Sequence, residues 1–506
     1  MHQSECAFIY IDTSMRLNPS ALSFIDTNQS RSPKKDANLG SILMKRCMTK
    51  IMLNLRKTYK WLNDFDCKTL TPPPCSNRYI KIHPVAENEE TENQEHAQFQ
   101  MMLPFRRTEC FAANIVDVQH LIKSDDDPEI KNVFELTLEF KANESYLPGD
   151  TIGILPKNSK ESLDAILAYG STLKSQFSQK IKITNYESSM KKNPKILSHL
   201  PSKCTTLSQV FSECVDLHAI PKKAFLWALH QQNCLTDATE RRFIEILVSR
   251  EGSALYTMEI LQKQTTFISL LEILRSWHFS IDNICVLLEH LPRPMPRPYS
   301  ISNSLLVTEA MKDYKSGWTI LKIIFSVKSP PGLTTGMLQR LITEYESDKE
   351  SGIILRKSII NLYLRESNRF QLTEKDLAHP CIMIAIGTGL APFIGFLEHI
   401  RERRKEKTEA SKPLTWLLFG CKRKKKQLYA DRIQSFIADG TLSKVIECYS
   451  RDSEHLGVKY VQDAIDKNFI DLLIRDNFTK VFVCGSRKMT LDIRSSIMHR
   501  SSGETN

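Results

Sequence analysis

No two of the 13 cysteines stand in a C-x-x-C pair, and they show no even spacing. That excludes a zinc ribbon or a disulfide framework and points to a reducing, cytoplasmic setting. No H-E-x-x-H or comparable histidine spacing occurs, so no metal site is expected. Residues 1–10 lack a basic segment followed by a long apolar one, so no secretory leader is expected either. No internal repeat is visible. The 506 residues suffice for roughly three domains of ~150 residues each. A hydrophobic content of 41% and a charged content of 25% are those of ordinary globular protein. The net charge of +11 is compatible with nucleic acid, an acidic protein or phosphorylated ligands, and does not choose among them.

One stretch poor in charge, residues 380–400 (PCIMIAIGTGLAPFIGFLEHI), is interrupted by Gly387, Gly389 and Pro392 and so does not read as a membrane span. Ile382 to Ile386 form a continuous apolar run, the pattern of a strand buried on both faces. From Phe393 the apolar residues fall at helical spacing (Phe396, Leu397, Ile400), with Pro392 at the helix start, where its missing N–H costs nothing. The stretch reads as strand, Gly387-Thr388-Gly389 loop, helix: a place where backbone N–H groups meet a phosphate at a helix N-terminus, or simply a tight turn. The last glycine of the usual dinucleotide fingerprint is absent.

The rest of the chain divides around this motif. Residues 1–100 read as a remnant or linker, with a composition that allows disorder. Residues 42–62 mix basic and apolar residues at helical spacing, and residues 86–100 are acidic without Lys or Arg. Residues 132–140 alternate as a half-buried antiparallel strand, and Pro148-Gly149-Asp150 is a turn before a second strand. Helical spacing over 159–291 predicts an insertion within a β-barrel formed by 101–158 and 292–377. From 378 to 506 strands (382–386, 416–421, 445–449, 481–484) alternate with helices (392–404, 429–437, 460–468), which predicts a doubly wound parallel sheet. The expected fold class is thus α/β plus all-β.

Ligands of such a sheet bind at the carboxyl ends of its strands. The Gly387 loop, Gly420-Cys421, Ser450-Arg451 and Cys484-Gly485 all fall there. Ser450, Arg451 and Lys459, with Tyr460 beside them, would suit the 2′-phosphate that separates NADPH from NADH; alone, Ser450-Arg451 reads first as a surface pair. Arg297-Pro298-Tyr299-Ser300 supplies a cation for a pyrophosphate, an aromatic face for a flavin and a hydroxyl for its ring edge, or else is an ordinary barrel strand. Gly332-Leu333-Thr334-Thr335 precedes an apolar helical segment and makes a second anion site or a capped helix. Cys484 is either a buried small hydrophobe or a neighbour of nicotinamide. The run KRKKK (422–426) could bind phosphate or an acidic partner, but most such runs are solvated turns.

These motifs in this order resemble the FAD- and NADPH-binding half of the diflavin reductases, over about residues 103–495. The resemblance is carried by RPYS (297–300), GLTTGML (332–338), IGTGLAPFIGFLEHIRE (386–402), LLFGCKRK (417–424), SRD (450–452), KYVQD (459–463) and VFVCGSRKMTLDI (481–493). LLEHLPRPMPRPYS (287–300) is most similar to the branch that reactivates cobalamin-dependent methionine synthase. The resemblance implies a ferredoxin-NADP-reductase-like fold, with hydride passing from NADPH to FAD. It further implies that Arg297, Pro298, Tyr299 and Ser300 hold FAD and that Gly332, Leu333, Thr334 and Thr335 bind its pyrophosphate. Gly387, Thr388 and Gly389 would take the NADPH pyrophosphate, and Ser450, Arg451, Lys459, Tyr460, Val461 and Gln462 the 2′-phosphate end. Asp492 and Cys484 would line the nicotinamide side, with Ser300 and Cys484 as catalytic candidates. The implied partner is methionine synthase, with no nucleic acid and no membrane.

Three departures from the family pattern stand out. No Ser/Thr/Gly-rich FMN loop is recognisable in the first 100 residues, although FMN is expected for the family. No aromatic residue follows Phe482, where the family ends on one that covers the flavin. Residues 114–118 lack a basic residue that often approaches NADP. The competing expectation is a truncated or non-catalytic nucleotide- or partner-binding protein of the same fold, or a reductase closer to cytochrome P450 reductase.

Overall fold

The structure, a computed structural model, describes residues 6–12, 70–74, 80–85, 103–123, 132–141, 145–185, 200–201, 204–309, 317–327, 331–352, 359–366, 370–405, 412–452, 457–475 and 478–501. Its strands are β1 (Cys6–Asp12), β2 (Ile80–Pro84), β3 (Phe111–Ile122), β4 (Asn132–Lys141), β5 (Thr151–Ile154), β6 (Lys180–Asn185), β7 (Thr205–Thr206), β8 (Arg297–Ser300), β9 (Trp318–Val327), β10 (Ile359–Leu364), β11 (Cys381–Ile386), β12 (Thr415–Cys421), β13 (Lys444–Tyr449) and β14 (Lys480–Ser486). The sheet orders are β1-β14-β11-β12-β13, β8-β5-β10-β3-β4-β9 and β2-β6-β7. The described residues fall into two compact units.

One unit takes those of 38–103 and 155–296. Several of its helices begin where the sequence supplies oxygen caps. The Ser159 side chain accepts from Ser162 N, Asp237 from Thr239 N and Glu240 N, and Thr266 from Ser269 N. These start the helices Lys160–Leu167, Ala238–Val248 and Phe267–Ile273. Their apolar faces meet in a core that includes Phe211, Phe225, Leu247, Phe267 and Phe279. β2 joins this unit by pairing antiparallel with β6, and its alternate residues Ile80 and Ile82 are buried. Part of the stretch read as a remnant or linker is therefore a strand. Residues 42–62 and 86–100 lie outside those described.

The other unit takes the described residues of 2–37, 104–154 and 297–506. Six strands make an antiparallel sheet, and an antiparallel bridge from Ile301 to Ile323 joins the β8 edge to β9 and closes it into a barrel. Leu136, Leu138, Phe140, Ile152, Leu321 and Ile323 fill it. β4 corrects the sequence reading. Alternation predicts a half-buried strand, yet Glu135 and Thr137, on its outer face, are buried as well. The cause lies far along the chain. The Tyr429 hydroxyl donates to the Glu135 carboxylate, which also pairs with Arg432 and with Lys322.

In the five-stranded sheet, β13, β12, β11 and β14 run parallel, and β1 lies antiparallel along β14. β11 sends Cys381, Met383 and Ala385 to one face and Ile382 and Ile384 to the other. Helices cover both faces, as doubly wound topology requires. The unit's helices are α1 (Leu305–Glu309), α2 (Leu333–Glu350), α3 (Ala391–Arg404), α4 (Ala430–Ala438), α5 (Lys467–Arg475) and α6 (Arg487–Ser501). Phe393, Phe396 and Leu397 of α3 and Ile433 and Phe436 of α4 pack on one face; Phe469 of α5 and Ile493 and Ile497 of α6 pack on the other. The helix predicted over 460–468 starts later, at Lys467. Asp466 accepts from Phe469 N at 2.8 Å and caps it there, and Tyr460 to Ala464 turn instead.

Candidate cofactor-binding site

Parallel register brings the strand ends together. Ile386 pairs with Gly420, Cys421 with Tyr449, and Ala385 with Cys484. Gly387, Cys421, Ser450 and Gly485 thus stand in one row at the carboxyl edge. Gly387 has φ +55°, and residues 387–390 make a single 3-10 turn into α3. Gly389 has no room for a side chain. A methyl group there would lie 2.3 Å from the Cys484 carbonyl oxygen. Cys484 is 1% exposed, and β14 continues past it to Ser486, so the cysteine lies beneath the loop and inside the strand.

Ser450 and Arg451 are bound to the loop after β12. Ser450 N donates to Cys421 O (3.0 Å), Arg451 N donates to Lys422 O (2.8 Å), and Lys424 N donates to the Asp452 carboxylate (3.1 Å). The basic run therefore stands beside Arg451, and Lys422, Arg423, Lys424 and Lys425 are all exposed. The run is legible in sequence as a charged turn, and its position directly after a strand end is the signal that sets it beside the glycine row. Lys459 and Tyr460 are exposed and Gln462 is half-buried. Val461 is fully buried, and its Cγ1 is 3.1 Å from where a Gly420 side chain would begin. Its side chain anchors the 459–462 segment at the end of β12 and offers no surface to a ligand. Asp492 is half-buried on α6, one turn beyond Met489, which packs on Gly485.

The second group of residues gathers at one end of the barrel. Arg297, Tyr299 and Ser300 lie on β8, paired with Ile154, Ile152 and Thr151. The Tyr299 ring meets Phe325 edge-on at 6.1 Å, and with the Ile301–Ile323 bridge this sets Arg297 alongside the end of β9. The chain leaves β9 at Val327 and enters α2 at Leu333, so the α2 N-terminus lies at this end too. Gly332 N donates to Thr335 Oγ1 at 3.1 Å, and the Thr334 side chain is buried. Tyr299 as a residue is half-buried, but its hydroxyl oxygen is wholly buried and, among the described residues, has no hydrogen-bond partner. Burial holds that phenol well above its ordinary pKa.

An unpartnered buried hydroxyl on a part-open ring, with an arginine two residues before it and a helix N-terminus nearby, fits a flavin dinucleotide. The glycine row, with its hydroxyl and cations, fits a phosphorylated nicotinamide dinucleotide. Comparison with known proteins agrees. Residues 103–311 match the FAD binding domain and residues 383–495 the oxidoreductase NAD-binding domain. The chain thus carries an FAD binding domain followed by an oxidoreductase NAD-binding domain, a pairing also found in diflavin reductases. It is 28% identical to methionine synthase reductase of Bos taurus over 458 residues, which is 86% of this chain and 62% of that protein. It is 27% identical to methionine synthase reductase of Homo sapiens over 455 residues, again 86% and 62%. It is also 27% identical to NADPH–cytochrome P450 reductase of Mus musculus over 362 residues, 69% and 49%. The diflavin-reductase-like region thus spans less than two thirds of the methionine synthase reductases it matches. No helix among the described residues is long and apolar enough to cross a membrane.

Proposed function

We propose that this chain is an NADPH-dependent FAD oxidoreductase acting in a role like that of methionine synthase reductase. The observation that carries the proposal is the pairing, within one compact unit, of the Tyr299–α2 end of the barrel with the glycine row at the β11–β14 ends. Bound NADPH supplies a hydride and bound FAD accepts it. Tyr299 offers the ring face against which the flavin stacks, Arg297 and the α2 N-terminus take its pyrophosphate, and the Ser300 hydroxyl meets the ring edge. Gly387, Thr388 and Gly389 admit the second pyrophosphate close to backbone N–H groups. Ser450, Arg451 and Lys459 select the 2′-phosphate, with Tyr460 and Gln462 beside them and Asp492 toward the nicotinamide. Cys484, buried under Gly389, shapes the floor of the loop.

Similarity to methionine synthase reductases favours cobalamin-dependent methionine synthase as the downstream partner, with FMN supplied outside the described residues. Nine of the described cysteines, from Cys110 to Cys484, form no disulfide, which suits a cytoplasmic setting. The deciding experiment is to purify the protein with added FAD and follow the flavin band at about 450 nm on adding NADPH. A yellow protein bleached by NADPH is expected. A colourless protein that takes up no FAD refutes the proposal.

A further inference from the structure

The helix that follows the glycine loop also holds the flavin strand. Along α3, Gly395, Glu398 and His399 are spaced i, i+3 and i+4 and so share one face. That face meets Asn303 and Ser304, the residues that follow β8. Glu398 Oε2 accepts from Ser304 N at 2.8 Å, and Ser304 Oγ lies 3.2 Å from His399 Nδ1. The backbones close up at Gly395, where a methyl group would be 3.1 Å from Asn303 O. Asn303 is fixed from its other side: its Nδ2 donates to the Tyr146 hydroxyl at 2.7 Å, and its Oδ1 accepts from Lys322 N at 2.7 Å.

Glu398 is itself held. Arg432 of α4 donates to its Oε1, and Arg432 Nη1 also lies 3.8 Å from Glu135 Oε2 of the barrel. Lys322 Nζ donates to Glu135 at 2.8 Å, and the Tyr429 hydroxyl donates to the same carboxylate. Tyr429 adopts φ +55°, a left-handed conformation that a bulky residue keeps only where its surroundings enforce it. Burial of carboxylates is costly unless they are paired and hydrogen-bonded, so Glu135 and Glu398 persist only because this set is complete.

We propose that Glu398 is a positioning residue that locks the flavin-bearing strand to the dinucleotide-binding helix through Ser304 and Arg432. This rests on the proposed assignment of β8 to FAD and of the β11 loop to NADPH. The distance along α3 from its first residue, Ala391, to Glu398 is roughly 10 Å at 1.5 Å per residue. One rigid helix thus carries both the nucleotide loop and the flavin contact, and a change at Glu398 alters their relative placement without touching either cofactor.

The test compares wild type, Glu398→Ala, Glu398→Gln and Arg432→Gln in three measurements. These are FAD content with its visible spectrum, calorimetric affinity for 2′,5′-ADP, and stopped-flow reduction of bound FAD at saturating NADPH. Misplacement of reacting groups by about 1 Å costs up to roughly a hundredfold in rate. Glu398→Ala is therefore expected to keep FAD and 2′,5′-ADP affinity within about threefold, to shift the flavin band, and to slow reduction at least roughly tenfold. Glu398→Gln, whose amide oxygen still accepts from Ser304 N, recovers most of the rate. A flavin-loaded Glu398→Ala protein reduced at the wild-type rate overturns this inference and leaves the proposed function standing. A wild-type protein without FAD overturns both. Should Glu398→Ala fail to fold, Arg432→Gln decides: slower reduction with FAD retained supports the lock, and an unchanged rate refutes it.

Discussion

A single methyl group added at Gly389 separates steric from conformational demands within one turn. The new carbon would lie 2.3 Å from the Cys484 carbonyl oxygen and 2.9 Å from its carbonyl carbon. Carbon–oxygen contacts relax to about 3.3 Å or more, so about 1 Å of movement is required. The obstacle is the backbone of β14, laddered to β11 on one side and β1 on the other, so the loop must yield. Overpacking of this kind costs ~1–3 kcal/mol. The yielding segment is the one proposed to meet the pyrophosphate, so Gly389→Ala should also weaken 2′,5′-ADP binding, roughly tenfold or more, as expected for a misplaced contact. Gly387 makes a different demand. Nothing lies within 4 Å of a methyl group there, but φ is +55°. Gly387→Ala then costs about 1–2 kcal/mol for the left-handed backbone, and Gly387→Asn costs less because asparagine tolerates that region. Thermal unfolding and calorimetric titration with 2′,5′-ADP measure both effects. A Gly389→Ala protein with wild-type melting and wild-type affinity would refute the close-approach argument.

Tyr299→Ala should leave little FAD after desalting, whereas Tyr299→Phe keeps the stacking face and retains it; equal FAD content in wild type and the alanine variant contradicts the assignment. Arg451→Leu should weaken 2′,5′-ADP by roughly tenfold, the scale of a charged hydrogen bond worth ~1.5–3 kcal/mol, and should weaken 5′-AMP much less. Loss of both nucleotides alike would place Arg451 away from the 2′-phosphate. His230 and His290 titrate below the ordinary histidine value, chiefly because of burial. The unfolded chain therefore takes up protons first as pH falls, so stability is fully present above about 6.5 and is lost progressively below it. The urea midpoint should fall from pH 7.5 to 5.5, with a weaker fall in His290→Phe, and a pH-independent midpoint would argue against buried neutral histidines.

Local patterns carried much of the site. The strand, glycine loop and helix of residues 381–404 follow from an apolar run, two glycines and a proline, all within one stretch. Features made by distant residues were hidden. Glu135 alternates with apolar neighbours and so reads as solvent-facing, yet Tyr429 and Arg432, some 300 positions later, cover it. Glu398 and His399 interrupt the apolar spacing of α3 with polar side chains, and both are buried against Asn303 and Ser304. The family resemblance groups Val461 with the ligand-facing residues of 459–462, whereas only the folded chain shows it beneath Gly420. Periodicity also extended a helix back to Tyr460, because the Asp466 cap competes locally with the apolar spacing that precedes it.

The β1–β14 ladder has a consequence for how the protein is made. Its register joins Cys6 to Ser486 and Asp12 to Lys480, strands nearly a whole chain length apart. At about 5–20 residues per second, roughly 25 to 100 s separate the appearance of the two strands at the ribosome. During that interval the CAFIYID segment, rich in residues that favour β-structure, has no partner in its own sheet. Newly made chains crowded on one message could pair these segments with one another, so nascent chains held by a chaperone at residues 6–12 would yield more correctly closed nucleotide-binding sheet than chains left free.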